Sequence, residues 1–525
     1  MSSTTTIDDK SLDDRSLGPD DDVFRLRPER LSTAESLWVS ESLSPVREAV
    51  FVAVVCMAQF CTHGLTLAAE AAFMGTLVLL RTIGDSFGVS SPPRLAWLVG
   101  GYSLTVGTFI LFSGRLGDVF GYKRVLLAGL AWFSLWSLVA GLSVYSSYTL
   151  AVLSRVLQGI GPAVCLPNAL AILGAAYPPG HRKAMVFACF GAVAPVGGVV
   201  GGLCASLLAL TWWPWALWAM AAWLAILTVA GFAAIPDMPP REEAPRTWRG
   251  WAETLDLGGA LLGVVALVLF NFAWTQAPIS GWATPTILVP LVLGLLLLGA
   301  FAVVEFRVSR KPLVPFDAVN ADVAFVLAAV ACGWASFGVW TLYLVQVLQD
   351  VRGLSPLLTT AWFLPVVFLG ICAAVVTGKL LGPLQVRPPY VMAMALLAFT
   401  LGSVLTASTP PGQSYWGQTF VSMLVMPFGM DMSFPAATLI LSDAVPKRHQ
   451  GVGASLVNTV VNYGIALGVG FAGTVEVQVH GHGDTPDDLM RGFRGALYMG
   501  VGLAGLGLAV SLWFVAREHV LKKRG

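Results

Sequence analysis

A series of long apolar runs constrains the fold of this chain more than any other feature of its sequence. A membrane-crossing helix needs about 20 predominantly apolar residues, and such runs recur from about residue 48 to about residue 516. Of the 525 residues, 56% are hydrophobic and only 12% are charged, whereas soluble domains are usually about 25% charged. Because charge is scarce along the whole length, the sequence predicts an all-α protein that crosses a membrane many times.

The runs predict fourteen crossings, and the basic residues between them predict their orientation. With the N-terminus in the cytosol, the inner loops between helices and the C-terminal tail carry 19 of the 31 Lys and Arg residues, and the outer loops carry five. Cytosolic loops are enriched in Lys and Arg, so both termini are expected to be cytosolic. The crossings are placed near 48–80, 95–113, 125–144, 149–175, 185–209, 213–235, 256–275, 284–305, 322–348, 356–377, 389–407, 415–441, 452–475 and 495–516.

Composition and motifs argue against several other classes of function. The net charge of +1 gives no reason to expect a nucleic-acid partner. Neither a Walker loop nor a nucleophile elbow occurs, so we expect neither an ATP-driven pump nor an enzyme. No cofactor and no metal site are expected, because the seven cysteines all lie in apolar runs and are interpreted as small buried hydrophobic residues.

Two pairs of similar loops indicate an internal repeat. The stretch GRLGDVFGYKR, which begins at Gly114, resembles GKLLGPLQVRP, which begins 264 residues later at Gly378. The loop YPPGHRK before crossing 5 resembles VPKRHQG before crossing 13. Repeated halves are typical of secondary transporters. The predicted domains are a disordered cytosolic tail (1–46), a six-helix half (47–235), a loop with two inserted helices (236–320), a second six-helix half (321–516) and a cytosolic tail (517–525).

Three motifs resemble those of the major facilitator superfamily. They are GRLGDVFGYKR between crossings 2 and 3, LSRVLQGIGPAVCLPNALAIL in crossing 4, and GAVAPVGGVVGG in crossing 5. With fourteen crossings, the chain is similar to the fungal fourteen-spanner drug:proton antiporters, which include the aminotriazole and boron resistance transporters. The resemblance implies the major facilitator fold, with two six-helix halves plus two inserted helices. It also implies a plasma-membrane monomer that exports drugs or secondary metabolites in exchange for protons.

The first motif is expected to form a conformational clasp on the cytosolic side. Asp118 can accept hydrogen bonds from N–H groups at the start of another helix. Gly114 and Gly121 permit close approach and a tight turn, and Lys123 and Arg124 can pair with Asp118. The resemblance implies that this loop holds the two halves together while the protein opens outward. Orientation by positive charge alone, the alternative, explains the cations but not Asp118.

Crossing 4 contains an embedded cation. Arg155 and Gln158 lie at i and i+3, so they share one helix face. A charge at the membrane centre costs about 2.5–3.5 kcal/mol, so Arg155 is expected to face the interior, where the resemblance implies a role in proton coupling. Snorkelling to the outer surface is the alternative. The antiporter motif of crossing 5 is expected to be a thin, deformable helix and comprises Gly191, Pro195, Gly197, Gly198, Gly201 and Gly202.

Two acidic residues are candidates for carrying the proton. Asp431 in crossing 12 is expected to be paired, hydrated or protonated, and a purely structural hydrogen bond is the alternative to proton carriage. Glu70 lies in an apolar stretch too long for one straight crossing, which places it near the outer surface. Asp431 is therefore the preferred carrier of the two.

Other embedded polar residues are candidates for lining a substrate cavity. Aromatic side chains with a few polar groups suit an amphiphilic organic ligand, although packing alone also explains them. The candidates are Gln59 and His63 in crossing 1, Gln158 in crossing 4, Tyr343 and Gln346 in crossing 9, and Asn458 and Asn462 in crossing 13.

The sequence therefore predicts a proton-coupled transporter that exports small organic or toxic compounds. Its expected partners are a small-molecule substrate, protons and the lipid bilayer. Three alternatives stay open, because a fold does not determine a substrate. They are a proton-coupled importer, a borate or metabolite transporter on the same fold, and a non-transporting membrane sensor.

Overall fold

The computed structural model describes most of the chain as helices. The described residues are 43–62, 69–178, 181–237, 247–309, 312–313, 321–444, 450–480 and 485–524, and they contain no strand. Most of the predicted N-terminal tail and the loop at 238–246 therefore lie outside the described residues.

The first part of the chain builds helices whose ends follow from local sequence signals. Gly121 ends α5 with a φ of +89°, which glycine adopts without strain, so α6 starts at the next residue. Ser147 caps α7 by accepting a hydrogen bond from the Leu150 N–H. The helices are α1 (Pro45–Thr62), α2 (Ala69–Val78), α3 (Leu80–Ser86), α4 (Pro92–Leu95), α5 (Trp97–Phe120), α6 (Tyr122–Leu142), α7 (Tyr148–Gln158), α8 (Ile160–Ala176), α9 (His181–Ala209) and α10 (Pro214–Ala234).

The rest of the chain adds a helical hairpin and a second group of long helices. The hairpin, α12 and α13, follows the short helix α11. One π-helical turn, Val347–Val351, continues α14. The helices are α11 (Trp248–Thr254), α12 (Leu257–Ser280), α13 (Pro285–Arg307), α14 (Ala321–Gln346), α15 (Pro356–Trp362), α16 (Leu364–Leu381), α17 (Pro388–Ala407), α18 (Gln418–Ala444), α19 (Gln450–Val479) and α20 (Pro486–Arg524).

Twelve helical segments within the described residues are long and apolar enough to cross a membrane. They match twelve of the fourteen predicted crossings, with α7–α8 and α15–α16 each forming one segment. The two other predicted crossings, 48–80 and 185–209, fall on α1–α3 and α9, whose described residues do not form a qualifying segment. The chain is thus a multi-pass, all-helical membrane protein, and the count of fourteen stays a prediction.

The long helices pack into two groups. Helices α1–α10 form the first group through contacts with one another, and α14–α20 form the second. Helix α14 lies at the centre of the second group, where Trp334 and Trp340 are buried and donate their indole N–H groups to neighbouring helices. Helix α13 packs on α12 and leaves Leu288, Leu296 and Phe306 exposed, as suits a surface that faces lipid.

The two groups meet along a seam between α5 and α19. Three glycines of α5, spaced by seven residues, face α19, which runs antiparallel to α5. A Cβ added at Gly100, Gly107 or Gly114 would point at Val469, Tyr463 or Ser455 respectively. The approach is closest at Gly107, where that Cβ would lie 2.7 Å from the Tyr463 backbone nitrogen. Helix α12 packs on both α5 and α19, so the hairpin covers this seam.

Candidate functional site

A cavity of about 780 Å³ lies between the two groups of helices at one end of the bundle. Its walls come from α2–α4 on one side and from α12, α14, the π-helical turn, α19 and α20 on the other. The loops at this end are those that the basic residues predict to be extracellular, and we call it the predicted outer end. The cavity touches both groups, so it is the candidate site.

Side chains from both groups bond across the mouth of this cavity. Arg81 of α3 forms an ion pair with Asp350 of the π-helical turn, with Nη1 2.8 Å from Oδ1. The neighbouring Gln349 donates from Nε2 to the Val78 carbonyl at 2.8 Å. These bonds join parts of the chain about 270 residues apart, and they must break if the two groups separate at this end.

A buried carboxylate that sequence analysis missed forms part of the cavity wall. Glu476 of α19 is 5% exposed and accepts a hydrogen bond from the Tyr343 hydroxyl at 2.7 Å. The predicted crossing 13 stops at residue 475, whereas α19 continues to Val479. Extending the run by one helical turn would have revealed Glu476 as an embedded acid.

Of the predicted cavity residues, Gln346 does line this cavity, and Tyr343 lies directly behind Glu476. Gln346 is 6% exposed, and its carbonyl Oε1 accepts no hydrogen bond among the described residues. Asn462 does not line the cavity: it donates to the Asn458 carbonyl within α19, and its backbone lies against Gly107. The side chains of Gln59 and His63 lie outside the described part of the chain.

Arg155 is buried inside the first group of helices and does not line the cavity. It is 1% exposed, its guanidinium lies 4.5 Å from the centre of the Tyr102 ring, and it donates to Gln158 Oε1 and to the carbonyls of Leu98 and Ala72. Gln158 in turn donates to Ser137, so it supports Arg155 and does not line the cavity. The side chain therefore does not snorkel to the surface. No carboxylate of the described residues pairs with it, and its cost of burial is offset by hydrogen bonds and the aromatic face.

The predicted clasp residues lie at the opposite end, and their pairing differs from the expectation. Asp118 accepts a hydrogen bond from the Tyr122 hydroxyl at 2.6 Å, not from Lys123 or Arg124. Lys123 instead forms an ion pair with Asp237, at 3.0 Å. Tyr122 is the first residue of α6, and the turn at Gly121 brings its hydroxyl back to Asp118 in the last turn of α5. The residues just before α19, 445–449, lie outside the described chain.

Asp431 lies in α18, away from the cavity. Its Oδ2 is buried and has no hydrogen-bond partner among the described residues. The Thr377 hydroxyl of α16 lies 3.4 Å from the backbone carbonyl of Asp431, and it forms no hydrogen bond with the Asp431 side chain. Asp431, which is partly buried, and Glu476, which is buried, are thus two separate acids, and only Glu476 of the two borders the cavity.

In the antiporter motif, the described glycines lie in α9, which contacts α15 and α16 of the second group. Gly202 lies against Thr360 of α15, and the hydroxyls of Ser206 and Thr360 are 3.2 Å apart. Gly197, Gly198 and Gly201 are buried. The side-chain positions at Gly191, Pro195 and the proton candidate Glu70 lie outside the described residues. No group of three or more His, Cys, Asp or Glu side chains in the described part could hold a metal ion.

Comparisons with known proteins agree with this architecture. Residues 60–469 match the family model of the Major Facilitator Superfamily. The low affinity ammonium transporter of Saccharomyces cerevisiae is 47% identical, and the alignment covers 100% of this chain and 98% of that protein. The efflux pump terG of Aspergillus terreus is 41% identical, with 92% of this chain and 90% of the pump covered.

A solved structure shows the same fold. A peptide transporter, POT, in complex with sulfate matches with a TM-score of 0.63 over 89% of this chain and 94% of that chain, at 17% identity. The resemblance drawn from the sequence motifs is confirmed by the family match and by the fungal efflux relative. The chain therefore belongs to the major facilitator superfamily, and it is a multi-pass membrane transporter of small molecules, not an enzyme.

Proposed function

We propose that this protein is a proton-coupled secondary transporter that exports small organic compounds across the plasma membrane. In this proposal the chain makes fourteen crossings, keeps both termini in the cytosol and acts as a monomer. The two groups of helices serve as the halves that alternately open the central pathway to either side of the membrane.

The observation that carries the proposal is the cavity between the two groups. Its volume of about 780 Å³ suits a drug-sized molecule, since ligand pockets usually measure about 300–1,000 Å³. Its walls belong to both groups, so a change in their relative position would change access to the bound substrate. The relative named as an efflux pump supports export as the direction.

The proton is proposed to travel on Asp431. An antiporter needs an acidic group that binds and releases a proton as the conformation changes. The Oδ2 atom of Asp431 is buried and has no partner in the described residues, so no ion pair among them holds this acid in one charge state. Arg155 cannot carry the proton, because its guanidinium stays protonated; in this proposal it acts only through its charge.

Flux into vesicles tests this function directly. The full chain is reconstituted into proteoliposomes, a pH difference is imposed, and accumulation of ethidium and of fluorescein is followed with and without a protonophore. We expect uphill accumulation of at least one probe, and its loss when the pH difference is collapsed. Accumulation that is indifferent to the pH difference would reject proton coupling.

Substitution of the carrier sharpens the same test. The variant Asp431→Asn keeps the side-chain shape and removes titration, so we expect retained downhill exchange without uphill accumulation. Asp322→Asn is the control, because Asp322 forms a partly exposed ion pair with Arg517 at the end of the bundle opposite the cavity. Retained accumulation in Asp431→Asn, with loss in Glu476→Gln, would reassign the carrier to Glu476.

A second candidate function is transport of ammonium or a similar small cation. It is favoured by the relative named as a low affinity ammonium transporter, to which all of this chain aligns. The same vesicles, loaded with a pH-sensitive dye and given ammonium or methylammonium, test it. Cation-dependent flux that exceeds the flux of protein-free vesicles would favour this candidate.

A further inference from the structure

We propose that Glu476, Gln346 and Tyr343 form a binding site in the cavity for a cation that carries N–H donors, such as ammonium or a primary amine. This site deepens the proposed transport function and rests on it, because it names the class of substrate that the cavity would take. The three residues come from two helices, α14 and α19, that face each other across one wall.

The polar atoms of the site are arranged to accept hydrogen bonds. The Tyr343 hydroxyl uses its proton on Glu476 Oε2, at 2.7 Å, which orients the carboxylate and leaves Oε1 as an acceptor. Gln346 lies one turn beyond Tyr343 on the same face of α14, about 4.5 Å along the helix axis. Its carbonyl Oε1 is buried with no donor among the described residues, although buried polar atoms are nearly always paired. A ligand that donates hydrogen bonds would complete both groups.

The charges around the cavity favour a positive ligand. Three carboxylates line it, and two guanidinium groups accompany them; the five are Arg81, Asp85, Arg94, Asp350 and Glu476. Asp350 is paired with Arg81, whereas Glu476 accepts a hydrogen bond from a tyrosine and forms no ion pair among the described residues. His480 also lines the cavity and follows directly after the end of α19. Glu476 is therefore the buried acid of this cavity that has no ion pair among the described residues.

The chemistry of the site also distinguishes among cations. Carboxylate and amide oxygens can each accept an N–H from an ammonium group, and hydrogen bonds to charged groups are stronger than neutral ones. A quaternary ammonium ion has the same charge but no N–H donor, so it cannot satisfy Gln346 Oε1. Discrimination between these two kinds of cation therefore separates a built site from general attraction to negative charge.

Equilibrium binding to the purified full-length protein tests the site without a membrane gradient. Ammonium, methylammonium and benzylamine are titrated by calorimetry at fixed pH and ionic strength, with tetramethylammonium as the cation that lacks N–H donors. We expect saturable binding of at least one of the first three, at least tenfold tighter than tetramethylammonium. The preference among the three would separate ammonium itself from a larger amine. Equal binding of tetramethylammonium would overturn the proposal.

Two substitutions assign the binding to these residues. Glu476→Gln should weaken the preferred cation at least tenfold, and Asp322→Asn, distant from the cavity, should leave it unchanged. Gln346→Met removes the unpaired carbonyl at similar size, so we expect several-fold weaker binding and an unliganded melting temperature that is equal or higher. Wild-type affinity in both cavity variants would reject the site. If Glu476→Gln does not fold, the affinity of the folded Gln346→Met variant decides the test.

The outcome is distinguishable from failure of the transport proposal. Cation binding that depends on Glu476, without any pH-driven flux in vesicles, would support the site and contradict proton-coupled transport. Proton-coupled flux of an organic compound, with no amine binding, would support proton-coupled transport and contradict the cation site.

Discussion

At the predicted outer end the two groups of helices meet through side chains around a cavity, whereas α5 and α19 meet through their backbones. The outer contact is an ion pair, Arg81 with Asp350, whose side chains are 59% and 20% exposed. The seam is lined by glycines, and at Gly107 the two helices leave no room for a methyl group. Exposed ion pairs contribute about 0–1 kcal/mol, but closely packed backbones resist any added atom.

This difference indicates where movement is easy. Side chains that pair across a cavity can separate and re-solvate at small cost, so the outer end can open by losing a few bonds. Where Gly107 lies against the Tyr463 backbone, the α5–α19 seam can rotate or slide only as a packed unit, since no side chain there can adapt. We therefore expect the seam to act as the pivot and the outer end to act as the gate.

The largest expected effect is in a labelling experiment that determines which end of the bundle faces outward. The comparison between the outer end and the α5–α19 seam depends on this orientation. In a cysteine-free background, single cysteines at Ser2, Glu243 and Lys523 should not react with an impermeant thiol reagent applied to intact cells. The basic residues of the inner loops are the reason. Cysteines introduced at Ser90 and at Gly412 are the positive controls, and labelling of any of the first three from outside would invert the two ends.

Adding volume to the seam should nearly abolish transport. Gly107→Val places side-chain atoms where the Tyr463 backbone lies, and overpacking of this kind typically costs about 1–3 kcal/mol. We expect flux in proteoliposomes to fall at least tenfold, with a lower melting temperature. Gly502→Val on α20 is the matched control, because a Cβ there meets nothing within 4 Å. Normal flux in Gly107→Val would show that the seam is not tightly packed during the cycle.

Loss of the clasp acid should lower transport several-fold while the protein stays folded. Asp118→Ala removes the acceptor of the Tyr122 hydroxyl, so the inner end should spend more time open. Accessibility of a cysteine at Ser455, which lies opposite Gly114 across the α5–α19 seam, reports this when labelled from the cytosolic side. Tyr122→Phe should produce a smaller shift in the same direction, and Asp237→Asn should produce little. Unchanged accessibility in Asp118→Ala would reject the clasp.

Breaking the outer ion pair should have the smallest effect. Arg81→Ala is expected to change the rate of transport by about two- to fivefold, because an exposed pair is worth at most about 1 kcal/mol. The expected direction is greater accessibility of a cysteine at Leu77 from the outer side. Arg94→Ala is the control, since Arg94 lines the same cavity without an ion pair across it in the described residues. An equal effect of both variants would mean that cavity charge, not the bridge, matters.

Sequence periodicity and composition determined the helical, multi-pass character of this chain. Each apolar run that crosses a membrane must satisfy its backbone hydrogen bonds within its own segment, and a helix does so. The motif at Gly114 indicated the superfamily, and the cost of an embedded charge predicted that Arg155 points inward. These are local properties, because a helix satisfies its backbone hydrogen bonds within its own segment.

Only the tertiary structure decided which side chains meet. Arg81 and Asp350 are 269 residues apart, and no pattern in either segment predicts that the two side chains form an ion pair. Glu476 fell one residue beyond a predicted crossing, so its contact with Tyr343 could not be anticipated from hydropathy. The seven-residue spacing of Gly100, Gly107 and Gly114 is visible in the sequence, but its meaning depends on α19 lying opposite. Long-range partners are set by how the helices pack, and a pattern within one helix specifies a buried face without specifying what covers it.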